Sequence, residues 1–216
     1  MPQAKGDGIV LRVTDFGEWD RLLVVFAVGS GKTRMVARGA RKTQSRYASM
    51  TQPFCHLNYT YYAGRGLGTL NQAQLQSGFP ELRDDLDKMA YGLYLLELTD
   101  SFLEEGQEHD DIFSLLLASL HILCETTDYE LLLAFFQVRF LARLGWAVSA
   151  RQLGLRREAA GEFESIFSHD WRYLEGNRPA GNLRDITARL DDILVRELGK
   201  QPRSLSFLHT IRKNQG

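Results

Sequence analysis

Residues 29–33 read GSGKT, the closing letters of a phosphate-binding loop. Such a loop needs G-x-x-x-x-G-K-[ST]: its glycines let backbone N–H groups curl round phosphate, and a helix must follow to aim its N-terminus at the anion. Here Phe26 stands where the first glycine belongs, and RMVARGAR follows with the basic and apolar alternation of a strand. The string is therefore expected to be a turn between two strands, carrying one lysine. GRGLG (64–68) lacks the third glycine of a dinucleotide fingerprint and precedes no helical pattern, so it too reads as a turn.

Other chemistry-bearing residues give no catalytic constellation. The five histidines are scattered, and none has ligand spacing with a cysteine or a second histidine. EEGQEHDD (104–111) could hold a divalent cation, but it lies where one helix ends and the next begins. Carboxylates there cap N–H groups and complement the helix dipole. No nucleophile elbow is present. No enzyme activity, cofactor or metal is expected. Two cysteines, Cys55 and Cys124, are too few for a disulfide framework and suit a reducing cytosol. The N-terminus has no apolar core of a secretory signal, and no apolar run is long enough to span a bilayer.

Charge is more informative. The net charge of -1 conceals a division: residues 1–80 carry 10 Lys/Arg against 4 Asp/Glu, residues 81–135 carry 2 against 14, and residues 136–216 carry 14 against 9. A basic first third points to a polyanionic partner there. Its cations include Lys32, Arg34, Arg38, Arg41, Lys42, Arg46 and Arg65, with Arg34 and Arg38 evenly spaced on an expected strand. Trp19, Tyr47 and Tyr62 offer stacking surfaces, whereas Tyr59 and Tyr61 share a face with Cys55 and Leu57 and are expected inside. A basic groove with aromatic rings is how small barrels hold single-stranded nucleic acid.

Five short apolar runs must position these residues: 8–16, 21–28, 33–41, 54–63 and 68–76, separated by turn signals. They predict a small β-barrel. Near Pro80 the period changes to three and four, predicting helices over 82–103, 110–125, 128–145, 183–199 and 203–213, with Asp110 and Asp128 as N-caps. Residues 147–180 read as irregular. The fold class is α+β: a strand domain over 1–79, then a helical domain over 80–216.

Several segments in order resemble the RecO family of bacterial recombination mediators. They are DGIVLRVTDFGEWDRLLVVF, GKTRMVARGARKTQSRYASMTQPF, GRGLGTLNQAQL, YGLYLLELTDSFLEEGQEHDDIFSLLLASL, LLAFFQVRFLARLG and LGKQPRSLSFL. The resemblance implies an oligonucleotide/oligosaccharide-binding (OB) barrel followed by an all-helical domain. It implies binding of single- and double-stranded DNA, and annealing of strands coated by single-stranded-DNA-binding protein (SSB). It further implies cooperation with RecR in loading RecA, in the bacterial cytoplasm at the nucleoid. Many members carry four zinc-ligand cysteines after the LG helix; residues 147–180 contain none, so the chain is similar to zinc-free members. An SSB tail, acidic and ending in Phe, would need a cation beside an apolar pocket. Phe136, Arg139, Phe140 and Arg143 are the candidates. The alternatives from other classes are a protein-interaction scaffold that binds SSB or RecR without annealing DNA, and a hydrolase built on the carboxylate cluster.

Overall fold

The computed structural model describes residues 2–64, 66–146, 148–177 and 181–214. Five strands, β1 (Gln3–Phe16), β2 (Asp20–Ala27), β3 (Gly31–Ala37), β4 (His56–Tyr62) and β5 (Gly68–Ser77), close into a barrel in the order β1-β2-β3-β5-β4. β1 is longer than its apolar run because it serves two partners. Residues 8–16 pair with β2 and residues 3–9 with β4, both antiparallel. β3 and β5 meet in parallel at only two positions, Met35↔Gly68 and Val36↔Thr69.

The continuous apolar runs of β1 and β2 have a physical cause: both faces are buried. Val10, Leu23, Val25 and Ala27 point into the barrel with Met35, Leu57 and Tyr59. Ile9, Leu11, Val24 and Phe26 point outward into the core of the helical layer. A bulge between Val10 and Arg12 accommodates this switch along β1. β3 ends at Ala37, earlier than its alternation suggests. Asp20 accepts a 2.7 Å hydrogen bond from the Gly39 N–H and turns the chain away, so Arg38 lies in a turn instead of beside Arg34 on a strand.

The helices are α1 (Glu81–Asp84), α2 (Leu86–Phe102), α3 (Asp110–Glu125), α4 (Tyr129–Arg143), α5 (Arg157–Ser168), α6 (Trp171–Gly176), α7 (Leu183–Leu198) and α8 (Arg203–Asn214). The run expected as one helix over 82–103 is broken at Asp85, whose carboxylate accepts from the N–H groups of Asp87 and Lys88 and starts α2 afresh. Residues 147–180 are not irregular throughout: they contain α5 and α6. Ala159, Phe163 and Ile166 recur at four and three and are buried, which is the stripe of an amphipathic helix. No helix among the described residues is long and apolar enough to cross a membrane.

α4 is the central helix, with every residue from Leu131 to Val138 buried. Around it a polar network joins four helices. Asp191 of α7 accepts from the Tyr94 hydroxyl (2.6 Å, α2) and Gln137 Nε2 (2.5 Å, α4). Arg212 of α8 pairs with Glu130 of α4 at 2.7 Å, and the Tyr91 hydroxyl donates to Glu130. Burial pushes the Asp191 carboxyl up to about 6, while the Tyr94 and Gln137 hydrogen bonds and the Arg212 charge pull it back.

The two layers lock together at the GSGKT turn. The Gly29 N–H donates to Asp110 at 2.8 Å, and the Gly106 N–H donates to the Lys32 carbonyl at 3.0 Å. Asp110, expected as an N-cap, thus reaches across to the barrel; the residue before α3 is His109. Lys32 Nζ donates to the Asp100 carbonyl at 2.5 Å and pairs with its carboxylate at 3.1 Å. Gly31 has φ +67°, and a Cβ there would lie 2.0 Å from the Gln107 carbonyl oxygen. Gly29, at φ +65°, has open space.

Two outcomes follow from these contacts. Gly29→Ala carries only the left-handed backbone cost of roughly 1–2 kcal/mol, a fall in Tm of about 2–8 °C for a chain this size. Gly31→Ala adds a backbone clash and is expected to lower Tm at least twice as far; equal shifts would show that the turn does not need the close approach. For Asp191, the folded carboxyl binds its proton more tightly than the unfolded one, so its contribution to stability falls as pH rises from about 4 to 6. Asp191→Asn is expected to gain on the order of 1–3 kcal/mol relative to the parent between pH 4 and pH 7. Denaturant unfolding at both pH values measures this, and a difference that does not change with pH contradicts it.

Candidate nucleic-acid interface

The barrel's cations divide into struts and free charges. Arg12 pairs with Asp100 at 2.7 Å, and Lys32 is held by the same residue with its side chain only 11% exposed. Arg21 Nη1 donates to the carbonyls of Ala48 and Thr51 and to the Thr51 hydroxyl, at 2.9–3.0 Å. Arg34 pairs with Glu105 at 2.5 Å, on the segment that also bridges to β3 at Lys32. These four tie the barrel to its loop or to the helical layer. Lys32 and Arg34 therefore lie at the seam and not with the remaining candidates. Arg65 is outside the described residues.

Arg38, Arg41 and Lys42 gather beside the β1–β2 turn. The backbone holds them there: Arg41 N–H donates to the Trp19 carbonyl at 2.9 Å, and Lys42 N–H to the Gly39 carbonyl at 3.1 Å. The Arg41 guanidinium donates to the carbonyls of Gly17 (3.4 Å) and Glu18 (3.2 Å) and pairs with Asp15 at 3.3 Å. Arg38 and Lys42 are exposed and make no ion pair among the described residues. The same turn carries two exposed aromatic rings, Phe16 (44%) and Trp19 (48%). Phe16 was not singled out by sequence. Its signal was position: an aromatic residue at the end of a strand, next to a turn, has nothing to cover it.

Arg46 sits farther along the β3–β4 connection. Its guanidinium lies 4.7 Å from the centre of the Tyr47 ring and donates to the Tyr47 hydroxyl at 2.6 Å. That hydroxyl donates to the Asn71 carbonyl of β5 at 2.6 Å, so Tyr47 is a strut and not a stacking platform. Tyr59 is buried in the barrel, and burial raises its hydroxyl pKa well above the ordinary value. Tyr61 packs against the same core, and Tyr62 is exposed.

The four tail-binding candidates on α4 do not form a pocket. Phe136 and Phe140 are completely buried and stack on each other at 5.3 Å. A helix apolar on nearly all sides leaves no sequence mark that distinguishes a pocket phenylalanine from a core one. Arg139 donates to the His169 carbonyl and lies 4.5 Å from the centre of the Phe135 ring. Desolvation, helped by the Arg143 charge, lowers its pKa from the ordinary value. Arg143 donates to the Arg139 carbonyl at 3.1 Å.

A cleft at the seam does combine cations with apolar surface. It has a volume of about 730 Å³ and is lined by Leu11, Pro53, Leu93 and Phe207 together with Lys200 and Arg203. Its two carboxylates are already engaged: Asp100 by Arg12 and Lys32, and Glu97 by the N–H groups of Arg203 (3.1 Å) and Ser204 (2.8 Å) at the start of α8. Lys200 and Arg203 carry no ion pair among the described residues. Sequence reasoning missed this cleft because its lining comes from β1, α2 and α8, which are far apart in the chain.

The carboxylates of 104–111 are dispersed onto Arg34, Gly29 and Arg143. No cluster of three or more His, Cys, Asp or Glu side chains fit to hold a metal occurs among the described residues. Where cysteines would hold zinc, α5 and α6 bury Ala159, Phe163, Ile166 and Leu174, a donor set that does not fit a metal.

Comparison with known proteins agrees with this architecture. The family model "Recombination protein O N terminal" matches residues 1–79, and "Recombination protein O C terminal" matches residues 83–179. The DNA repair protein RecO of Symbiobacterium thermophilum is 42% identical over 144 residues, covering 66% of this chain and 57% of that protein. Those of Bacillus cytotoxicus and Bacillus cereus are 38% identical over 141 residues, covering 65% of this chain and 57% of theirs. The matched part thus spans little more than half the length of these relatives.

Proposed function

The chain belongs to the recombination protein O (RecO) family, and on that premise we propose that it is a DNA repair and recombination mediator. In this reading it binds single- and double-stranded DNA through the barrel and anneals complementary strands coated by SSB. With RecR it promotes loading of RecA. The observation that supports direct DNA binding is the grouping of Arg38, Arg41 and Lys42 with the exposed rings of Phe16 and Trp19. Two of these cations have no protein partner among the described residues, so a phosphate need not displace one. Cations on phosphates lower the repulsion between two strands without reading sequence, and exposed rings take unpaired bases by stacking.

Arg38→Ala with Lys42→Ala tests this, because neither side chain supports the turn. Removing two phosphate contacts is expected to flatten the slope of log K against log[salt] for single-stranded DNA by about 1.4, with Tm unchanged. An unaltered slope rejects the assignment.

For the acidic, Phe-ending tail of SSB we propose the seam cleft instead of α4, because it combines cations with apolar surface. Lys200 and Arg203 would take its carboxylates, and Leu93 and Phe207 its terminal ring. Lys200→Ala with Arg203→Ala should weaken binding of a tail peptide about tenfold or more, the scale for loss of paired charges at an interface. Arg139→Ala should leave it unchanged. The opposite pattern, measured by fluorescence anisotropy, would return the site to α4.

A further inference from the structure

A second surface of the barrel has a chemistry different from the basic turn. The three neighbouring strands β1, β4 and β5 place Lys5, Thr60 and Gln72 in one cross-strand row and Asp7, Asn58 and Gln74 in the next. Strand alternation turns Tyr59 inward from between these rows, so all six side chains share the outer face. They line a groove of about 760 Å³ together with Arg46 and Val28.

The groove is polar, with uncharged amides between its charged side chains. The amides of Asn58, Gln72 and Gln74 make no hydrogen bond to another described residue. Each offers a donor and an acceptor on one planar group. Asp7, which also lines the groove, is oriented by His56 and brings one carboxylate to the set. Two cations, Lys5 and Arg46, outnumber that one carboxylate. Arg46 is fixed by Tyr47, whose hydroxyl is tied to the β5 backbone. A ligand matching this set carries phosphate at one side and unpaired, planar groups with adjacent donors and acceptors at the other.

We propose that this groove is a base-contacting subsite for single-stranded nucleic acid, with Asn58, Gln72 and Gln74 hydrogen-bonding base edges and Lys5 and Arg46 holding the adjoining phosphates. The proposal rests on the reading of the barrel as a DNA-binding domain. On an unpaired base, asparagine and glutamine amides reach the Watson–Crick edge, whose donors and acceptors a partner strand would otherwise take. In a duplex those edges are occupied, so the groove discriminates single from double strands, which the phosphate contacts at the β1–β2 turn cannot do. An acidic peptide ending in an apolar residue is a poorer match, since Ala73 and Tyr59 turn into the barrel and leave Val28 as the apolar side chain among the lining residues.

The test compares a single-stranded oligonucleotide, an abasic strand of equal length and the corresponding duplex, at fixed salt. Asn58→Ala, Gln72→Ala and Gln74→Ala combined should weaken single-strand binding about tenfold, as expected for lost base hydrogen bonds. Affinity for the abasic strand and the duplex should stay within about twofold of the parent. Gln72→Glu alone, a change of one exposed side chain, should weaken single-strand binding in the same direction and serves if the triple variant does not fold. Folded variants that bind the single strand normally, or that lose all three ligands equally, overturn the groove while leaving the DNA-binding reading intact. A parent protein that binds none of the three overturns that reading itself.

Discussion

Burial of β1 and β2 on both faces is the constraint on which the remaining structure depends. The inward set fills the barrel and the outward set, Ile9, Leu11, Val24 and Phe26, enters the helical core. Phe26 meets Phe113 of α3 edge to face at 5.7 Å. Burying an aliphatic or aromatic side chain contributes about 1.5–3 kcal/mol, so four such residues amount to a large part of the 5–15 kcal/mol typical of whole-protein stability. A barrel without its helices would expose that surface to water. The helices are therefore part of the barrel's own stability and not an appended module.

This packing also decides where ligands can bind. With the C-terminal half of β1 and β2 covered, the barrel's accessible regions include the β1–β2 turn with residues 38–46 and the outer face of the N-terminal half of β1 with β4 and β5. The cations follow the same division. Arg12, Lys32 and Arg34 face the helical layer and are neutralised by Asp100 and Glu105 from the acidic middle third. Arg38 and Lys42 face solvent and stay unpaired among the described residues. The contrast in charge between the first and middle thirds thus serves docking as well as any polyanion. Arg38 and Lys42 lie beyond the reach of those acidic residues.

How legible each feature was in sequence depends on how local its cause is. The five strands, most helices and the inward placement of Tyr59 follow from periodicity within a few residues. The fate of Lys32 does not, because its partner Asp100 lies 68 residues away. Reading GSGKT as a turn needed only the missing glycine and the strand that follows; the reason for Gly31 is the Gln107 carbonyl, which sequence does not bring near. The helix α5 was visible in principle in Ala159, Phe163 and Ile166, but turn-forming residues on either side masked it. Phe136 and Phe140 failed for the converse reason. Their helix is apolar on nearly every side, so hydrophobicity carried no information about which rings face a neighbour and which face a ligand.

The polar network about Asp191 addresses a problem that hydrophobic burial leaves open. Leucine-rich surfaces such as those of α2, α3 and α4 pack in several registers at similar energy, and nothing apolar selects one. Tyr91, Tyr94, Glu130, Gln137, Asp191 and Arg212 reach one another only when α2, α4, α7 and α8 are mutually in place, and even then Gln137 Oε1 and Asp191 Oδ2 have no hydrogen-bond partner among the described residues. A displaced register would leave the Asp191 carboxyl or the Arg212 guanidinium buried without a partner, which costs more than the apolar contacts gain. The seam cleft is lined by α2 and α8, two of those helices. Its apolar residues Leu93 and Phe207 and the cation Arg203 therefore owe their alignment to polar groups on the same helices, which makes the buried network a condition of the cleft and not only of the core.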